Sequence, residues 1–184
     1  MNVPQFKKMA GPLVVIAGVT VSLLVGSDAW AQHKQKVSFK TLAANTTVIR
    51  QHVIDVGDVP GHQVRIFEGR ATFPTDAPVF EGVRTAERWV RGFSDYTDLN
   101  GRAATYLLLV MENGDKIFAR GDGVSQSTLN PDGSRKATGT LVYALTGGTG
   151  KFLGIRGVIR ETTSFDPKAG LVDVHSEGEY WLDK

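Results

Sequence analysis

The side chains able to do chemistry are few, and the usual nucleophile patterns are missing. No Gly-x-Ser-x-Gly elbow and no Ser-x-x-Lys occurs. The chain has no cysteine, which removes thiol nucleophiles and thiolate metal sites. Its histidines stand at 33, 52, 62 and 175, none at ligand spacing, so no metal is expected. Asp122 lies within Arg120-Gly121-Asp122-Gly123. Alternation along a strand puts it on one face with Arg120 and Phe118. In an apolar pocket, burial would raise such a carboxyl and suit it to donate a proton. Tyr106 and Tyr143 are the aromatic side chains that could wall the pocket. His52 and Asp55 fall on opposite faces of one strand, so at most one of them points inward.

Positioning these groups falls to a succession of strands. Predicted strands cover residues 46–55, 62–73, 79–93, 103–111, 116–128, 136–146, 156–165 and 171–182. Gly, Pro, Asn and Asp punctuate the links, with Asn113-Gly114 as the clearest hairpin signal. No segment shows a sustained, capped 3.6-residue apolar period. Short links make neighbours antiparallel. The fold class expected is all-β: a closed eight-stranded antiparallel barrel able to hold side chains or one small ligand. A two-sheet sandwich is the alternative. A membrane-spanning barrel is disfavoured, because Arg84 and Arg88 charge one face of the third strand while Glu81, Glu87 and Arg91 charge the other.

Residues 1–31 read as a cleavable signal peptide. Lys7 and Lys8 precede an apolar run from Pro12 to Val25, and Ala29-Trp30-Ala31 supplies the small-x-small cut. The run is shorter than the roughly 20 residues that span a bilayer, so no membrane association is expected after cleavage. Residues 32–44 read as an irregular lead-in, and 45–184 as one barrel domain. The product would be secreted or periplasmic. The whole chain has 21 basic against 19 acidic side chains, a net charge of +2. Losing Lys7, Lys8 and Asp28 leaves it near neutral, without the concentrated positive face that nucleic acid requires.

The glycine-rich stretch from Ala144 to Gly157 is the most distinctive. It is not a phosphate loop, because Gly150-Lys151 is followed by Phe152 rather than Ser or Thr. Nor is it a dinucleotide fingerprint, since the residues after it read as two strands with no room for a parallel sheet. It reads as a rim turn in which Phe152 and Leu153 plug the barrel end.

Gly147-Gly148-Thr149-Gly150-x-Phe152 followed by Arg156-Gly157 resembles the signature of dirigent proteins. The run Gly139 to Gly148 resembles the matching strand and turn of allene oxide cyclases, and the likeness covers about residues 117–166. That resemblance implies an eight-stranded barrel, commonly a homotrimer, with a largely apolar pocket and no cofactor. It implies a small apolar ligand, and either an isomerase-like or coupling-guiding role or a non-catalytic carrier. It also supplies the reason for naming Arg156, which matches the arginine after the glycine signature, and His52, which sits near the family's polar first-strand residue. Arg156 and Asp122 are therefore the expected catalytic pair, with Tyr106, Tyr143, His52 and Phe118 as ligand contacts.

Overall fold

The computed structural model describes residues 33–166 and 170–183. The proposed signal peptide and its cleavage site lie outside the described residues. The chain forms β1 (Gln35–Thr41), β2 (Thr46–Asp55), β3 (His62–Thr72), β4 (Val79–Phe80), β5 (Val83–Thr97), β6 (Asn100–Met111), β7 (Lys116–Leu129), β8 (Arg135–Gly148), β9 (Ile155–Asp166) and β10 (Gly170–Leu182). The pairing order is β1-β10-β9-β8-β7-β6-β5-β3-β2, antiparallel throughout, with β4 paired to β5.

Three corrections to the sequence reading follow. The expected strand 79–93 is two, β4 and β5, parted by a turn at Glu81 and Gly82, which have φ +48 and +76. The lead-in contains a strand, since residues 35–41 pair with β10 from Gln35↔Tyr180 to Thr41↔Val174. Its alternation Val37, Phe39, Thr41 buries one face against the core. The ladder also does not close: β1 and β2 are its two edges, and no pairing joins them among the described residues.

The sheet nevertheless curls on itself. Arg88 on β5 reaches Glu161 on β9 at 2.7 Å, although three strands lie between them in the ladder. Thr41 and Thr46 are five residues apart, which holds the two edges within about 17 Å of each other at that corner. The chain leaves β3 at Pro74 and carries Phe73 and Phe80 into the core. Phe73 meets Phe39 edge-on at 6.2 Å, and Phe80 lies 5.0 Å from Tyr180. Glu81 N–H donates to Tyr180 Oη at 3.0 Å, and Lys151 Nζ donates to the Glu81 carbonyl.

The glycine-rich turn stops the same end of the interior. Phe152 is fully buried in the core, as expected, whereas Leu153 is 69% exposed and plugs nothing. Thr149 and Lys116 exchange hydrogen bonds of 2.9 Å, and Asp115 accepts from Lys151 N–H at 3.1 Å. A Cβ on Gly148 would stand 2.6 Å from the Lys116 carbonyl and 2.7 Å from Phe152 Cβ. Gly150 has φ +52.

Candidate functional site

Strand register sets which side chains meet inside. Around the curl, Arg65, Ser94, Ala103, Gly123, Leu141, Glu161, Ser176 and Phe39 stand opposite one another in turn on the inward face. The next row runs Tyr96, Gly101, Ser125, Gly139, Thr163 and Val174. Small residues crowd both rows, and Leu141 and Thr163 lean over Gly123 and Gly139, where an added Cβ would come within 2.6 and 2.9 Å of them. A cavity of about 210 Å³ remains, lined by Arg65, Tyr96, Leu99, Ala103, Gly123, Val124, Ser125, Ala137, Gly139, Leu141, Thr163 and Phe165.

Leu99 reaches the cavity from the β5–β6 turn. It and Asp98 both have positive φ, +66 and +53, where a bulky L residue is strained. The turn is held from outside. Ser127 Oγ donates to the Asp98 carbonyl at 2.7 Å, Arg135 Nη2 to Asp98 Oδ2 at 2.9 Å, and Asn100 Nδ2 to Ser127 Oγ at 2.8 Å.

A buried polar cluster lies on the same inward face. Arg88 donates to Glu161 Oε2 at 2.7 Å, and Ser176 Oγ donates to Glu161 Oε1 at 3.1 Å. Thr105 Oγ1 donates to Tyr143 Oη at 3.0 Å. Burial, and then the nearby Glu161 carboxylate, push the Tyr143 phenol up to about 12. Burial also raises Tyr96, against the pull of the Arg65 guanidinium. Among the described residues, Arg65 Nε, Arg88 Nε and Thr163 Oγ1 are buried without a hydrogen-bond partner.

Of the residues singled out from sequence, Tyr143 alone points inward. Its ring lies over Gly121, where a Cβ would come within 2.6 Å of Cδ1. Phe118 and Asp122 share a face, as alternation requires, but that face is the outer one; both are exposed. The inward positions there belong to Ala119, Gly121 and Gly123, over which Tyr143 and Leu141 pack. Arg156 is likewise outward, because Ile155 and Gly157 hold the inward phase of β9. It donates to the Thr146 and Ile155 carbonyls at 3.2 and 2.9 Å, and its Nε lies 3.6 Å from Asp183 Oδ2. Tyr106 is 64% exposed, and His52 is exposed on edge strand β2. The expected approach of Arg156 and Asp122 to the interior is thus corrected by strand phase.

Arg65, Arg88, Tyr96 and Glu161 were not singled out as site residues. A signal for Glu161 was present: Ile155, Gly157 and Ile159 set an inward phase that it continues. Arg88 is masked by a register shift between Thr85 and Glu87.

No family model matches the chain, and no curated protein does. Solved structures resemble it in fold. Pyocyanin demethylase is 15% identical, with a TM-score of 0.38, over 79% of this chain and 98% of that one. A pterocarpan synthase dirigent protein is 14% identical, with a TM-score of 0.43, over 82% of this chain and 95% of that one. The likeness is one of fold.

Proposed function

We propose that this protein is an exported receptacle for a small, mostly apolar molecule, held inside the curled sheet and steered by position in the manner of allene oxide cyclases and dirigent proteins. The 210 Å³ interior cavity, built from small and apolar side chains, is the observation that carries this reading. Holding a reactive molecule in one conformation biases its ring closure or coupling without covalent help. Proton transfer has no place in the proposal, because both Glu161 oxygens are already engaged by Arg88 and Ser176. The same engagement favours a plain carrier as the second reading. The two part on products: a carrier releases its molecule unchanged, whereas a steering barrel returns another isomer.

Export rests on the leader at residues 1–31, and a homotrimeric state on the sequence resemblance. Apolar side chains exposed on the outer face, among them Ile66, Phe93, Tyr106 and Val142, are compatible with assembly. Native mass spectrometry of the protein isolated from its own source tests the reading. A retained small molecule is expected, absent from an Ala103→Phe variant that fills the cavity. Protein free of any adduct, and inert to added single-ring compounds, would leave the barrel a structural element.

A further inference from the structure

We infer that the cavity takes a single-ring aromatic acid, with its carboxylate on Arg65. This rests on the reading of the cavity as a ligand site and names the class of ligand. Arg65 is the one charged side chain among the lining residues. Its Nε is buried, and no partner for it exists among the described residues. Carboxylates on the same inward face are committed elsewhere. Asp55 accepts from Gln63 Nε2 at 2.9 Å, and Glu161 holds Arg88 and Ser176. Arg65 itself is half-buried, and a cation at the edge of a mostly apolar cavity draws a carboxylate to it. The planar guanidinium fork matches a carboxylate with two parallel hydrogen bonds.

The rest of the cavity fits the remainder of such a molecule. Thr163 Oγ1, also buried and unpartnered, borders the same space and can hydrogen-bond a second polar atom. Leu141 and Thr163, seated over Gly123 and Gly139, form one wall. Tyr96 and Phe165 add aromatic walls. A cavity of about 150 Å³ is known to accept benzene. At about 210 Å³, this one has room for a ring and one short substituent.

Calorimetric titration of the full chain with benzoate, and with benzamide as its neutral planar isostere, tests the inference. Benzoate should bind tighter by about tenfold or more, since hydrogen bonds to charged groups are the stronger ones. Arg65→Met, which keeps the aliphatic stem, should abolish the preference and leave benzamide binding in place. Arg65→Lys should keep part of it. Equal affinity for the two compounds in the wild type would overturn the acid assignment and leave the cavity as a binding site. Binding of neither would overturn both. Should Arg65→Met fail to fold, the wild-type comparison and the lysine variant still decide.

Discussion

Glu161 and Tyr143 carry the electrostatics of the interior. Glu161 is 2% exposed and its partner Arg88 9%, so removing either leaves the other buried without its partner. Glu161→Gln should destabilise by about 3–5 kcal/mol in denaturant unfolding, because it strands the guanidinium. The double replacement Glu161→Leu with Arg88→Met should recover much of that loss, and failure to recover it would mean that the pair organises more than itself. Tyr143 makes a second prediction. Its folded-state value, about 12, lies above the value of 10.0 for an unperturbed tyrosine. The folded protein therefore holds this proton more tightly. The associated stability is complete below pH 10 and is lost as pH rises toward 12, by roughly 2–3 kcal/mol. Tyr143→Phe should flatten that alkaline decline in pH-dependent melting. Tyr143 was named from sequence as a pocket wall, but it is a buried core residue that does not line the cavity. Its partners were not legible, because alternation gives a face and cannot say which face is inner once charges occupy both.

At the scale of elements, most strands were read within a few residues, since 46–55 is β2 and 116–128 differs from β7 by one residue, but the expected strand 79–93 is split into β4 and β5. Branched residues and Asn-Gly or Pro-Asp-Gly turns are local signals, and local pairing obeyed them. The other failures were non-local. The stretch 35–41 carries only Val37 and Phe39 as strong apolar residues, too few to mark a strand whose ladder partner lies at the far end of the chain. The Asp98-Leu99 turn gives no sequence sign of positive φ, since its strain is held by Asn100, Ser127 and Arg135. Leu99→Gly should relieve about 1–2 kcal/mol of backbone strain while adding chain entropy and losing packing. Stability should then change little, while a cavity ligand dissociates faster. An unchanged off-rate would show that Leu99 does not cover the site. Gly148→Val should lower stability by about 1–3 kcal/mol, because Lys116 and Phe152 already occupy the space of its Cβ.

For the molecule as a whole, even strand spacing foretold an antiparallel curl but not its seam. The Phe73 to Glu81 segment packs against β1 and β10, through Phe39 and Tyr180. β2 remains an unpaired edge exposed on both faces, with Val48 and Ile54 outward to solvent. The central claim is that the interior, rather than the outer face carrying Arg156 and Asp122, is where a small molecule binds. A backbone amide NMR titration with benzamide tests this most directly. The account predicts saturable shifts centred on Ala103, Gly123, Gly139 and Thr163, lost in Ala103→Phe. Shifts centred instead on Asp122, Arg156 and their outer-face neighbours, and persisting in Ala103→Phe, would contradict it.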